Sequence, residues 1–282
     1  MSGVSQTAAY VALYRAMETA ERRRPRLFDD PYALRFLPLK LQAAVQLARL
    51  PISQRLLARY ADLRAPGART SAIARTVFID DVLRRAVLDG AEQCVILGAG
   101  YDCRAQRLPE LARVRVFEVD RAATQERKRA LLGPTHVAYV PVDFLRDDAF
   151  ERLQAHGWDR ARRSVFVWEG VTNYLDESAV LRVLREVARC AAGSTIVFTY
   201  VHRGVIDGSV QFAGAERIVQ NVRGMREPWT FGIAPQQIAA FLEGAGLRLR
   251  EDLGADEYRA RYLPSWESSY GYAFYRVAVA VV

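Results

Sequence analysis

Lysine is almost missing from this chain. Of its 40 basic side chains only Lys40 and Lys128 are lysine, so the formal charge of +8 is carried by arginine. The arginines do not gather into one run. They alternate with acids, as in Glu21-Arg22-Arg23-Arg24 and Glu126-Arg127-Lys128-Arg129, which is the pattern of solvated helix faces. A basic balance can signal nucleic acid or a membrane surface, but this spread favours neither. It does leave a field able to steer an anionic substrate.

Cysteine and histidine are scarce as well. Cys94, Cys103 and Cys190 are too scattered for a disulfide framework, and Cys94 and Cys190 lie in apolar runs that read as core. His136, His156 and His202 share no ligand motif, so no metal is expected. No apolar run is long enough to span a bilayer, and no signal peptide opens the sequence. A cytoplasmic protein without a membrane or nucleic-acid partner is the expectation. Internal repeats and low-complexity segments are lacking. What is present, 282 residues of which 51% are hydrophobic, suffices for one large domain or a core with a small cap.

The first part of the chain reads as helical. Tyr10, Leu13, Tyr14 and Met17 recur at helical spacing over residues 5–20, with Ser5 or Thr7 as cap. Arg22–Pro25 breaks that helix, a turn follows at Asp29-Asp30-Pro31, and helical segments continue to about residue 60. Pro66-Gly67 is the next punctuation. Residues 1–68 are therefore expected to form a helical cap or lid, and residues 69–282 the main domain.

Beyond residue 69 strands alternate with helices. A helix over 70–88 precedes the apolar run Cys94–Leu97. Val114–Asp120, Val137–Val142, Ser164–Trp168 and Ser194–Val201 are further strand candidates. Helices are predicted over 122–132, 147–156 and 176–191, the last with Asp176 as N-cap. Residues 203–232 show no clean period and are taken as an insertion. A helix at Pro235–Ala245, a strand at Leu247–Leu253 and a β-branched strand at Tyr275–Val282 close the chain. The fold class is α/β: a Rossmann-like, doubly wound sheet, mostly parallel, with an antiparallel last strand and a helical N-terminal cap.

Ligands of such sheets bind beyond the carboxyl ends of the strands. Four consecutive predicted strand ends here carry glycine or an acid: Gly98-Ala99-Gly100, Asp120, Asp143 and Glu169. The glycines admit a ligand close to the backbone. A dinucleotide fingerprint would place a third glycine at position 103, where Cys103 stands. Asp120, 22 residues after Gly98, can accept from both hydroxyls of a ribose, in a nicotinamide or another adenosyl cofactor alike. Asp143 followed by Phe144 suits an adenine, the acid on the exocyclic amine and the ring alongside, unless Phe144 is plain core. Glu169 offers a carboxylate for an ammonium group or for base catalysis. Arg75, in the helix before the glycines, is either a fork for a carboxylate or a solvated helix residue.

These residues, with their neighbours, resemble a known family. Ala74-Arg75-Thr76-Val77-Phe78-Ile79-Asp80-Asp81, Leu97-Gly98-Ala99-Gly100-Tyr101-Asp102-Cys103-Arg104, Phe117-Glu118-Val119-Asp120, Val142-Asp143-Phe144 and Trp168-Glu169-Gly170-Val171-Thr172-Asn173-Tyr174-Leu175 look like the leucine carboxyl methyltransferase family. The closer likeness is to its bacterial branch of S-adenosylmethionine-dependent O-methyltransferases. Ser5-Gln6-Thr7-Ala8, Leu27–Ala33 and Glu227-Pro228-Trp229-Thr230-Phe231-Gly232 match too, so the likeness covers nearly the whole chain.

The resemblance implies a class I methyltransferase fold and S-adenosylmethionine as cofactor, leaving S-adenosylhomocysteine. It assigns Arg75 and Gly98 to the methionine end, Asp120 to the ribose, Asp143 and Phe144 to the adenine, and Glu169 to the amino group. The family's substrates, a protein C-terminal carboxylate in eukaryotes and polyketide-type products in bacteria, do not carry over automatically.

Methyl transfer from a sulfonium needs alignment and exclusion of water. A carboxylate acceptor is ionised at neutral pH and needs no base, whereas a phenol or alcohol does. Candidate catalytic residues are Tyr174, Tyr200 and His202. Candidate substrate contacts are Tyr14, Arg15, Asn173 and Arg203, each of which packing or solvation would explain equally well. A small-molecule acceptor and a monomer or homodimer are expected. A nicotinamide-dependent oxidoreductase and a non-catalytic cofactor-binding module are the rival functions.

Overall fold

A computed structural model describes residues 6–144, 146–224, 228–263 and 272–282. Seven strands make one sheet in the order β3-β2-β1-β4-β5-β7-β6. They are β1 (Gln93–Leu97), β2 (Arg115–Asp120), β3 (Ala138–Pro141), β4 (Ser164–Trp168), β5 (Thr195–Val201), β6 (Arg248–Gly254) and β7 (Tyr275–Val281). β1 to β5 pair in parallel, and β7 runs antiparallel to both β5 and β6. Central parallel strands covered on both faces need unbroken apolar runs, and β1 and β4 are buried at every residue. Strand order reverses between β1 and β4, so the ligand crevice opens there.

The helices follow in chain order: α1 (Gln6–Thr19), α2 (Leu39–Leu47), α3 (Pro51–Arg64), α4 (Ala68–Leu88), α5 (Arg104–Arg107), α6 (Ala122–Leu132), α7 (Ala149–Ala155), α8 (Glu177–Ala188), α9 (Arg203–Asp207), α10 (Ala215–Gly224), α11 (Ile238–Glu243) and α12 (Ala255–Tyr262). In α8 the Asp176 carboxylate accepts from the Ala179 N–H at 2.7 Å, and Val180, Val183, Leu184 and Val187 bury one stripe. That stripe joins α7 and α11 on one face of the sheet, with Phe166, Trp168 and Phe198. α4 and α12 cover the other face through Ile73, Val77, Phe78 and Tyr258.

A further apolar cluster joins Leu13, Tyr14 and Met17 of α1 to Phe36, to Ala72 of α4, and to Tyr101 and Cys103 just after β1. The Phe36 and Tyr101 rings stack at 4.4 Å. The N-terminal helices thus rest directly on the loop that follows β1.

Three expectations change. Residues 203–232 are not without period: α10 buries Ala215, Ile218 and Val222 at helical spacing, and short α9 precedes it. The two late strands are not consecutive, because α12 lies between them. Its start is marked by the Glu257 carboxylate accepting from the Gly254 N–H, a capping signal with little apolar patterning behind it. Thr7 lies inside α1 and not at its cap, while Ser5 and Glu227 lie outside the described residues. Among the described residues no helix is long and apolar enough to cross a membrane.

Candidate active site

The loop after β1 is shaped by its glycines. Gly98 and Gly100 have φ of +66° and +47°, a region open to glycine at little cost. The N–H groups of Gly98 and Ala99 both donate to the Val119 carbonyl, at 2.7 and 3.0 Å. A Cβ on Gly98 would lie 2.3 Å from Val171 Cγ2, so the loops after β1 and β4 touch where the strand order reverses.

Asp120 holds this loop from the end of β2. Its Oδ2 accepts from the Gly100 N–H at 2.6 Å and its Oδ1 from the Arg121 N–H at 2.7 Å. A carboxylate has roughly four acceptor sites, so capacity remains for hydroxyl donors. Asp143 reaches the same edge: Pro141 pairs with Asp120, and the Val142 N–H donates to the Asp120 carbonyl at 2.9 Å. The Asp143 carboxylate is 41% exposed, 4.0 Å from Arg146. Phe144 is half-buried against the main core and borders a cavity of about 440 Å³ with Leu175 and Arg182.

Glu169, at the end of β4, sits between two arginines. Arg75 donates Nε to its Oε1 and Arg104 donates Nη1 to its Oε2, both at 2.8 Å. Arg104 also pairs with Asp80 at 2.8 Å and with Asp102, and Arg107 forks onto Asp80 at 2.6 and 2.7 Å. Three buried cations thus face three acids, the balance that a low-dielectric interior demands. Burial alone would raise the Glu169 carboxyl, but the Arg104 and Arg75 guanidinium groups outweigh it and hold it at about 2. Asp102 behaves likewise: burial opposes, and Arg104, Arg15 and Lys128 bring it to about 2. Glu169 is therefore a fixed anion and not a proton acceptor.

Two donors in this cluster are orphaned. Arg104 Nη2 and Arg107 Nε are buried without a hydrogen-bond partner among the described residues. Arg75 donates Nη1 to Ser71 Oγ at 3.5 Å, and its Cζ lies 4.6 Å from the centroid of the Tyr275 ring. Arg104, Arg107, Asp80 and Asp102 were not singled out in the sequence. The available signal was an acid pair, Asp80-Asp81, between the apolar runs Val77-Phe78-Ile79 and Val82-Leu83 of α4.

The remaining candidates divide. Tyr174 reaches α1 through its hydroxyl, 3.3 Å from Thr7 Oγ1, and Ala8 lies beside Gly100. Asn173 is buried with Oδ1 unpartnered, and its carbonyl accepts from the Thr230 N–H at 2.7 Å, tying the post-β4 loop to the Trp229-Thr230-Phe231 segment. Gly232 permits that segment to approach β5, since a Cβ there would meet the Val201 carbonyl at 2.9 Å.

His202 caps α9. Its Nδ1 accepts from the Gly204 N–H at 3.0 Å, so the ring proton belongs on Nε2. Burial, and then Arg276, keep its pKa below the usual value. Tyr200 is not brought to the Glu169 cluster. Its side chain lies on the face of the sheet opposite Thr199, with its hydroxyl 3.0 Å from both Asp252 oxygens. Arg15 is buried against Asp30 at 2.8 Å and the Tyr101 carbonyl, bracing the cap. Tyr14 is buried beside it, its phenol pushed up to about 12 by burial and then by Asp62. Arg203 pairs with Glu177 at 2.9 Å on the surface.

Comparison with known proteins places this geometry in context. Residues 8–188 match the family model described as leucine carboxyl methyltransferase. A Frankia alni protein named "Putative S-adenosyl-L-methionine-dependent methyltransferase" is 39% identical over 214 residues, covering 73% of this chain and 72% of its own length. A Bacillus subtilis protein of the same description is 32% identical over 66% of this chain and 63% of its own. Among solved structures, a DUF574-family protein from Streptomyces avermitilis superposes with a TM-score of 0.62 at 14% identity, covering 95% of this chain and 96% of its own. A Thermobifida fusca protein titled a putative methyltransferase gives 0.55 at 20% identity, over 81% and 88%. At those identities the structures testify to the fold alone.

Proposed function

Because this chain belongs to the leucine carboxyl methyltransferase family, we propose that it is an enzyme that transfers the methyl group of S-adenosylmethionine to an oxygen of a small molecule. The acceptor oxygen belongs to a carboxylate or hydroxyl, on a polyketide-type or other secondary metabolite. When bound, the cofactor supplies a methyl group activated by a sulfonium.

The observation that carries this reading is the orphaned Nη2 of Arg104, the arginine that donates Nη1 to Glu169 at the end of β4. A buried guanidinium donor without a partner costs free energy unless an acceptor arrives, and a carboxylate is the acceptor a guanidinium fits best. Arg75 and Arg104 hold the methionine carboxylate in this reading, and Glu169 receives the amino group at its rim. Gly98, Ala99 and Gly100 let the ligand approach the backbone. Asp120 takes the ribose diol, and Asp143 with Phe144 takes the adenine. Residues 1–68 act as a cap that excludes water.

A carboxylate acceptor is favoured over a hydroxyl. With Nδ1 of His202 already accepting, the ring presents a donor and not a base. The Tyr200 hydroxyl lies on the other face, and Glu169 is ion-paired. A carboxylate needs none of them for deprotonation, while Tyr174, Asn173 and the Nε2–H of His202 can orient it. The reading requires no metal. It has a monomer or homodimer working in the cytoplasm on a small molecule, without nucleic acid or membrane. The test is transfer of labelled methyl from S-adenosylmethionine to paired acid and alcohol acceptors. A product label released by mild alkali, as from a methyl ester, is expected. An alkali-stable label would make the acceptor a hydroxyl. Cofactor binding without transfer to any acceptor would favour a non-catalytic module.

A further inference from the structure

A large cleft lies away from the glycine loop, between α3 and the α9–α10 segment. Its volume is about 1190 Å³, against about 440 Å³ for the cavity beside Phe144. Drug-sized ligands occupy sites of roughly 300–1,000 Å³. Phe212, Val205 and Val210 give it an apolar wall, and arginines line the side toward the cap.

The charges there do not cancel. Asp62 is held by both arms of Arg69, at 3.0 and 2.6 Å. Arg217 donates to the Leu63 carbonyl at 2.7 Å. Arg55 and Arg59 are exposed, stand one turn apart on α3, and have no acidic partner among the described residues. Glu216, across the cleft, is the other acid on its wall. From Leu39 to Ala61 the chain carries Lys40, Arg49, Arg55 and Arg59 and no acid at all. An unpaired arginine pair above an apolar wall matches a ligand with an anionic oxygen head and an apolar body.

The cleft also lies in the right direction for the reaction. Arg69 on its wall precedes Arg75 by six residues on α4, about 9 Å along the helix. Gly204 on the opposite wall is the residue that His202 caps. We propose that this cleft binds an amphipathic anion, a carboxylate or phosphate head on an apolar body, with Arg55 and Arg59 taking the head. In a methyl acceptor the head on Arg55 and Arg59 would be a second anionic group and not the methylated oxygen; that role rests on the methyl-transfer reading, but the binding itself does not.

Calorimetric titration with decanoate, decyl phosphate and decan-1-ol tests it, in the wild type and in Arg55→Gln/Arg59→Gln. Both anions should bind the wild type at least tenfold more tightly than the alcohol, and lose that margin in the double variant and at raised salt. Preference for one head over the other identifies which anion the cleft takes. Equal binding of alcohol and anions, an unaffected double variant, or no anion binding would overturn the proposal. S-adenosylmethionine titrated into the same samples reports separately on the cofactor. Anion binding without cofactor binding would sink the methyl-transfer reading and leave this site standing.

Discussion

Around Glu169 every arginine has an acid, whereas in the cleft beside α3 Arg55 and Arg59 have none among the described residues. The first group is buried and tied by bonds of 2.6–2.8 Å; the second stands in solvent. A buried charge must be matched or it destabilises the fold, so the paired cluster can offer a ligand only the donors it has left over. An exposed arginine costs little when unpaired and stays available. On the proposed reading, the contrast separates a charge-paired cofactor side from an open acceptor side.

The largest expected effect comes from breaking the paired cluster. Glu169→Gln leaves Arg75 and Arg104 facing each other's charge, and should cost roughly 3–5 kcal/mol in urea unfolding. The same contrast has a pH signature. Folded, Glu169 and Asp102 titrate at about 2, below the ordinary 4.5 and 3.8. Between those values and about 2 the unfolded chain binds more protons than the folded one. Stability is therefore complete above that window and falls as pH drops through it. Unfolding midpoints measured across the window should slope downward with acid, and Glu169→Gln should flatten the slope.

Gly98→Ala comes next. Positive φ and the contact with Val171 together should cost about 1–3 kcal/mol, and Val171→Ala should recover part of it in a double-mutant cycle. Asp120→Ala should weaken S-adenosylmethionine roughly tenfold or more by calorimetry, as a charged acceptor for the ribose is lost. Unchanged affinity would remove Asp120 from the site. At the small end, Arg55→Gln/Arg59→Gln should move stability by no more than about 0.5 kcal/mol, because both side chains are exposed and neither has an ion-pair partner among the described residues.

The sequence made one layer of this legible and hid another. Unbroken apolar runs mark β1 and β4, alternation marks β2, and helical spacing marks α4 and α8; these put Gly98, Asp120 and Glu169 at strand ends, with Asp143 two residues beyond β3. Side-chain partners are tertiary facts. Nothing local to Arg104 says that it meets Asp80 from α4 and Glu169 from β4, and nothing local to Tyr200 says that Asp252 waits across β7. α12 escaped because Ala-Asp-Glu-Tyr-Arg-Ala-Arg-Tyr buries chiefly Ala255, Tyr258 and Arg259, too thin a stripe to read as periodic. The cleft escaped because its walls come from α3 and α10, which are far apart in sequence.

The most direct test of the central claim is a calorimetric titration with S-adenosylmethionine and S-adenosylhomocysteine, with NAD as control and Arg104→Gln alongside the wild type. The account predicts binding of the first two, no response to NAD, and a marked loss of affinity in Arg104→Gln. Binding of NAD alone, or wild-type affinity for S-adenosylmethionine in Arg104→Gln, would contradict it.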